Sequence, residues 1–514
     1  LLWTKEMSNS ENKIKQLDQL TDILNNLSST TKKVVHCHGV FDLIHIGHIK
    51  HFQEAKSMGD ILVVTLTPDR FVNKGPNRPA FNEKLRAEAV AALDSVDFVV
   101  INEWPTAIEV IKCLKPNLYV KGPDYKDYKD DVTGNIKKEE DAVESVGGKI
   151  ALTSGQAFSS SNLINEYISL YGAEQKQYIS DLKEKYSKKD IKGHLDRLED
   201  MKVLLVGEVI IDEYVFCNSI GKSGKDPVLV NQKISTEKYA GGILAVANHV
   251  SDFCKSAKIL TYLGSEDDQK PFIEQSLGSN IKLENIQKSE SPTILKTRYI
   301  DTYTKNKIMG VYDLNDKILN KTEEKQFDNK LSACISEYDL VIVVDYDHGL
   351  ITPKIVETLE EGSKYLAVNT QLNSFNIGYH TISKYSNAHY VCVHEGELRH
   401  DYRNRQDATE TLIKKLTERI KADAITVTLG KDGCLVYKEG KLLKAPAFAG
   451  KVVDRVGAGD TLLAITALCF AAGVPKDLTM LFGGLAAAET IATYGMGNKL
   501  SKTYILKAVE ALIK

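Results

Sequence analysis

The stretch HCHGVFDLIHIGHIKHFQEA, residues 36–55, carries five of the chain's twelve histidines. With Val34 and Val35 ahead of it, the first part is apolar and β-branched and reads as a strand ending in glycine. A helix begins near His48. His36 and His38 alternate on the strand and share a face, whereas His45 and His48 flank Ile46-Gly47 where the turn becomes the helix. Metal, phosphate and a crowded core all compete as explanations. No Asp or Glu stands at a spacing that would complete a zinc shell, and His36 and His51 read as structural or surface residues. His45 and His48 occupy a helix N-terminal turn, whose free N–H groups and partial positive charge suit phosphate. Two imidazoles there can donate hydrogen bonds to oxygens that gain charge in a reaction. Gly39 lets the backbone come close to a ligand. Spacing alone leaves the alternatives open.

The rest of the chain supplies the frame. At 514 residues a single core is not expected, and two or three domains are. Basic residues number 66 and acidic ones 69, for a net charge of −3. That balance gives no global drive toward nucleic acid or anionic membrane, so a phosphate-bearing partner must be met locally. The eight cysteines are scattered without a C-x-x-C pair and read as reduced thiols. No basic-then-apolar leader and no long apolar run stands out, so a cytoplasmic protein without membrane contact is expected. Residues 1–6 are set aside, with Met7 as the expected start. An amphipathic helix is expected within 7–32, from Ile14, Leu17, Leu20, Leu24 and Leu27. Strands then alternate with helices across 33–170, which predicts an α/β, doubly wound parallel sheet. Residues 171–200 are charged and helical in pattern and read as a linker. A second α/β series fills 201–514. Within it VLVNQKI and TILKTRYIDTYTKNKIMGVYDL read as a β flap, with a turn near Lys305-Asn306.

GVFDLIHIGH, residues 39–48, resembles the G-x-F-D-x-x-H-x-G-H signature of cytidylyltransferase-like nucleotidyltransferases, a Rossmann-like fold. Further matches follow in family order: NKGPNRP at 73–79, VKGPDY at 120–125 and SSSNLI at 159–164. The run is similar to the adenylyltransferase half of the bacterial bifunctional heptose kinase/adenylyltransferases. The resemblance implies that a sugar or polyol phosphate attacks the α-phosphate of ATP or CTP and that pyrophosphate leaves. Gly39, Phe41, Asp42 and Gly47 belong to the signature. His45 and His48 would steady the triphosphate, and Lys74 and Lys121 would neutralise it. Arg78, Asp124, Ser159, Ser160 and Ser161 would shape the nucleotide and acceptor pockets. Related cytidylyltransferases carry an Arg ahead of the Ser/Thr run, and TSGQAFSSS has none, which weakens the case for CTP.

DRVGAGDTLLA, residues 454–464, places small residues before an apolar helix and Asp460 in its first turn. Asp460 could simply cap the helix. Alternatively, the exposed N–H groups could hold a phosphoryl group while the carboxylate accepts a hydroxyl proton. With its companions this half resembles the ribokinase-like, PfkB-type carbohydrate kinases. The resemblance implies Asp460 as base and Gly457, Ala458 and Gly459 as the anion hole. It places Asp212, Gly241, Gly242 and Asn248 at the sugar, and Thr428, Gly430, Gly433 and Glu397 on the nucleotide side. ATP and Mg²⁺ are implied, the cation being carried by the nucleotide. Three departures bear on metal handling and sugar fit. His394 stands where the family has Asn, Asn369-Thr370-Gln371 replaces an Asp-Pro-Lys-like segment, and Ile243 follows the paired glycines. Asp345, at a strand end, could face the site or be structural.

Together the two resemblances imply a bifunctional enzyme that makes a nucleotide-activated sugar, a heptose by family analogy, for surface polysaccharide. Sugars, sugar phosphates and nucleotides are its expected partners. The flap and leading helix make a homodimer an expectation. The domain order is reversed relative to the familiar bifunctional enzymes. Two other readings are a CTP-dependent cytidylyltransferase fused to a kinase of other specificity, and a kinase half that only binds and regulates.

Overall fold

Near-continuous Val, Ile and Leu runs mark strands buried on both faces, and they build two parallel sheets. The computed structural model describes residues 10–27, 32–122, 135–154, 171–494 and 500–513. It divides into two units, 1–172 with 506–514, and 173–505. In the first unit β1 (Val34–Gly39), β2 (Ile61–Leu66), β3 (Phe98–Ile101), β4 (Leu118–Lys121) and β5 (Lys149–Leu152) form an all-parallel sheet in the order β3-β2-β1-β4-β5. The order reverses beside β1, which opens a crevice beyond its C-terminal end, the usual ligand position in such sheets. One face is covered by an apolar cluster containing Phe52, Ala87 and Val90, the other by one containing Leu20, Val110 and Ile111.

The leading helix is shorter than its periodicity predicts and runs over Leu17–Leu27. Lys13 and Lys15 instead exchange backbone hydrogen bonds of 2.9 Å with Val99, and Ile14 bridges to the same residue. An edge strand leaves N–H and C=O groups unpaired, and these residues satisfy those of β3. The helix is docked on its own unit, with Leu17, Leu20 and Leu24 buried.

The second unit opens with the helices Ala173–Lys185 and Lys188–Asp196, within the stretch read as a linker. They bury Tyr178, Ile179, Leu182, Ile191 and Leu195, and Tyr178 donates to the Asp477 carbonyl at 2.6 Å. Nine strands follow in one sheet, ordered β10-β9-β6-β13-β14-β15-β16-β17-β18. They are β6 (Lys202–Gly207), β9 (Ser256–Gly264), β10 (Ile281–Lys288), β13 (Leu340–Asp345), β14 (Leu366–Thr370), β15 (Tyr390–His394), β16 (Ala424–Thr428), β17 (Cys434–Lys438) and β18 (Lys441–Ala445). All pairings are parallel except β16–β17 and β17–β18. The flap is a separate sheet in the order β12-β11-β7-β8, made of β7 (Val209–Lys222), β8 (Leu229–Gly242), β11 (Ile294–Asp301) and β12 (Lys307–Asp313). Its β11–β12 turn holds Lys305 at φ 61°. No helix among the described residues is long and apolar enough to cross a membrane.

Arg86, in the helix Glu83–Ala91, fixes the loops beyond β1 and β2. Its buried guanidinium donates to Phe81 O at 3.0 Å, Thr67 O at 2.8 Å, Asp69 Oδ1 at 2.6 Å, and to Val40 O. Arg86→Met strips these acceptors of their donor and is expected to destabilise the first unit by about 3 kcal/mol. Trp104 lies in the first unit and the second unit contains no tryptophan, so urea unfolding followed by tryptophan fluorescence reports on the first unit.

Candidate active sites

In the first unit β1 ends at Gly39, and the chain enters the helix Ile46–Ser57 two residues earlier than the sequence predicts. A Cβ on Gly39 would come within 2.9 Å of the Phe41 ring. Phe41 adopts φ 48° and turns that ring into the core, against His48 and Phe52 at centroid distances of 5.3 and 5.0 Å. Phe41 therefore positions the turn. His45 is the N-cap, and its Nδ1 accepts from Gly47 N–H at 3.1 Å. With Nδ1 acting as acceptor, the neutral ring carries its proton on Nε2. His48 stacks on His45 at 3.9 Å. Burial, with His45, Lys74 and His51 nearby, lowers the His48 pKa to about 3, and burial lowers that of His45. Both rings are neutral at pH 7, and His48 also makes a hydrogen bond with the Leu43 backbone.

The remaining nucleotidyltransferase candidates divide. Lys74 lies close enough for its charge to depress His48. Asp42 and Arg78 form a buried ion pair of 3.2 Å, and Asp42 also accepts from Phe81 N–H at 3.1 Å. This pair folds the 78–81 loop over the helix start, so its structural role is explicit. Lys121, at the end of β4, is buried and pairs with Glu139 at 2.8 Å. Tyr119 donates to the same carboxylate at 3.1 Å. Asp124, Ser159, Ser160 and Ser161 lie outside the described residues. His36 and His38 meet Thr65 Oγ1 at 2.8 and 2.7 Å, and His51 meets Thr153 Oγ1 at 3.0 Å.

In the second unit the residues converge at the C-terminal ends of the parallel strands. Gly457, at φ 83°, is the N-cap of the helix Ala458–Ala471. A side chain on Gly459 would meet nothing within 4 Å, so the helix start is open above its N–H groups. Asp460 is buried in the first turn and accepts from Gln371 Nε2, while the Tyr346 hydroxyl approaches without completing a hydrogen bond. Burial raises the Asp460 pKa to about 6, against the opposing effects of Tyr346 and Gln371. Asp212, on β7, pairs with Arg298 of β11. A Cβ on Gly241 would fall 2.1 Å from Asp212 Oδ2, and Gly242 sits at φ 57°, so the glycine pair makes room for the carboxylate. Ile243, after that pair, is buried and donates its N–H to Glu208 O at 3.1 Å. The Asn248 amide is committed to another segment, donating to Ser276 O at 3.0 Å and accepting from Gly278 N–H at 3.2 Å.

His394, despite replacing Asn, completes a capping box with Glu397 on the helix Glu395–Asp401. Its Nδ1 accepts from Gly396 N–H at 3.0 Å, and Glu397 accepts from His394 N–H at 2.6 Å and Leu372 N–H at 3.1 Å. Burial lifts the Glu397 pKa to about 7. Parallel pairing sets Thr428 beside His394. Gly430 takes φ 62° in the next turn, and a Cβ on Gly433 would land 2.1 Å from Ala445 O. Asn369 is buried and donates to Cys392 O at 2.6 Å, and Thr370 is buried beside it. Asp345 is structural in its bonding, held by Lys384 at 2.6 Å and Tyr385 at 3.0 Å. Asp345, Asp347 and His380 form a ligand-like group, but Lys384 already neutralises its buried member.

Sequence reasoning missed Glu208, Lys296, Arg298, Tyr346 and Asp454. Glu208 accepts from the N–H groups of Tyr346 and His348 at 3.2 and 3.1 Å, and burial with Asp345 raises its pKa. Asp454 accepts from Tyr214 at 2.7 Å and Lys307 at 2.8 Å, tying two flap strands to the loop that leads into Gly457. The alternation of Lys296 and Arg298 on a strand was the available signal, since both point to one face.

A family model for the pfkB family carbohydrate kinases matches residues 200–503, well over half of the sequence. The chain belongs to that family. A cytidylyltransferase-like model matches residues 36–169, so the nucleotidyltransferase-like domain precedes the pfkB domain. Relatives named bifunctional protein HldE match the N-terminal domain. That of Geobacter metallireducens is 42% identical over 170 residues, which is 32% of this chain and 33% of the relative. That of Citrifermentans bemidjiense is 41% identical over 165 residues, 32% of each. The chain thus matches about a third of the length of these curated relatives. The crystal structure of phosphofructokinase-2 from Escherichia coli in complex with potassium covers 61% of this chain and 100% of its own, with a TM-score of 0.51 and 16% identity. That likeness shows the pfkB fold.

The raised Asp460 pKa fixes the sign of two pH effects. A carboxyl whose folded pKa exceeds its unfolded value stabilises the fold below the unfolded value and loses that contribution as pH rises through about 6. Asp460→Asn is therefore expected to be more stable than the native protein at pH 8, by about 1–3 kcal/mol. Thermal unfolding across pH 4–8 should show the difference fading through about 6 and gone near 4.

Proposed function

We propose that this chain is a bifunctional enzyme, a sugar kinase in residues 201–514 and a sugar-phosphate nucleotidyltransferase in residues 33–170, making a nucleotide-activated heptose. The observation that carries the reading is the presence of two helix starts built for phosphate in one chain. One has His45 and His48, the other Gly457–Gly459 with Asp460. The similarity of the N-terminal domain to bifunctional protein HldE supports the same reading.

In the kinase half, Asp212 and Asp460 receive the acceptor, and the ionised Asp460 takes the hydroxyl proton as its oxygen bonds to the γ-phosphorus. The N–H groups after Gly457 face the oxygens that gain charge. Mg²⁺ is expected to arrive as the chelate of ATP, held by the phosphate oxygens. That cation neutralises phosphate charge when bound. In the nucleotidyltransferase half, His45 and His48 donate to the triphosphate while a sugar-phosphate oxygen attacks the α-phosphorus and pyrophosphate leaves. The lack of an Arg before the Ser run favours ATP over CTP. We place the enzyme in the cytoplasm.

Pyrophosphate release from ATP, CTP, GTP and UTP with heptose 1-phosphates tests the second activity, and ATP with heptose 1-phosphate is the expected pair. His48→Ala is expected to lower pyrophosphate release about 100-fold or more and leave sugar phosphorylation intact. Asp460→Asn is expected to do the reverse. Loss of both activities in either folded variant would refute independent sites.

A further inference from the structure

The flap carries a cation that no part of the fold consumes. Lys296 lies on β11 in register with Asp212 on β7 and Tyr312 on β12. Its residue is 8% exposed, and its ammonium sits 5.6 Å from the Tyr346 ring centre and 5.8 Å from that of Tyr312. Among the described residues it has no ion pair and no hydrogen bond. The neighbouring charges are all matched. Arg298 answers Asp212, Lys307 answers Asp454, Lys384 answers Asp345, and backbone N–H groups answer Glu208 and Glu397. Asp460, like Glu208 and Glu397, accepts only from a neutral donor, in its case Gln371.

We infer that Lys296 is a catalytic residue of the kinase half, its ammonium meeting the transferring phosphoryl group between Asp212 and Asp460. This rests on the kinase reading above. Tyr346, whose ring lies 5.6 Å from the ammonium, also approaches Asp460. The acceptor hydroxyl and γ-phosphoryl are proposed to meet beside Lys296. In the step, the hydroxyl oxygen bonds to phosphorus, the bond to the ADP oxygen breaks, and the proton passes to Asp460. Lys296 keeps its own proton and donates to an equatorial oxygen, where an uncommitted cation contributes most. Burial lowers the Lys296 pKa, and Asp212, Glu208 and Asp460 oppose that shift. The ammonium thus depends on the carboxylates it serves.

The test uses the full chain with Mg²⁺, ATP and heptose 7-phosphate. Lys296→Met is expected to lose about 100-fold in kcat, with the KM for ATP moving less than about threefold. The groups facing Asp460 are Asp212 from β7, Lys296 from β11, Tyr346 after β13, Gln371 after β14 and Glu397 after β15. Of these only Lys296 is cationic, so its removal is expected to shift the acidic limb of the kcat/KM profile to higher pH. Lys296→Arg keeps the charge and is expected to retain kcat within about tenfold. A normal kcat with only a raised acceptor KM in Lys296→Met would overturn the proposal, as would lost kcat with an unmoved acidic limb. Should Lys296→Met not fold, a Lys296→Arg variant without activity yet with native thermal stability would overturn it too. Absence of turnover by the native enzyme, or full kinase activity in Asp460→Asn, would instead strike the kinase reading itself.

Discussion

A helix that begins directly beyond a parallel strand has N–H groups without acceptors, and they point out of the sheet's C-terminal edge. Both halves of this chain are organised around that requirement. In the first unit the vacancy is dressed by two neutral imidazoles, in the second by glycines and a carboxylate. The sheets, with their buried Val, Ile and Leu, hold these helix starts still. The charged residues around them are then sorted by whether the fold has already used them.

Histidine is put to the same use twice. His45 and His394 each cap a helix through Nδ1, accepting from the N–H two residues on, at 3.1 and 3.0 Å. That bond sets each ring's orientation and leaves the proton of the neutral imidazole on Nε2. The replacement of Asn by His at 394 therefore keeps the cap and the Glu397 geometry. Likewise Gln371, which ends the segment replacing Asp-Pro-Lys, contacts Asp460 directly. These departures from the family pattern are accommodated by local bonding.

The alternation of strands and helices was legible because hydrophobic runs and glycine placement are local signals. The flap was legible for the same reason, down to the turn at Lys305. What sequence could not convey is commitment between distant residues. Arg78 and Lys121 read as free cations, yet Asp42 and Glu139 hold them in buried pairs. Asn248 reads as a sugar contact, yet residues 276–278 occupy its amide. Residues 13–15 follow a helical pattern, yet the unpaired edge of β3 claims them. Each outcome turns on which partner the fold brings near, and spacing along one chain does not encode that.

Asp454 gives the second unit a mechanical property. One carboxylate holds Tyr214 and Lys307 of the flap and also accepts from Val456 N–H at 3.2 Å, one residue before Gly457. The flap and the loop leading into the Ala458–Ala471 helix thus share one anchor, so a change at either is felt at the other. That coupling comes from where one side chain is tied, at a residue outside the helix start itself.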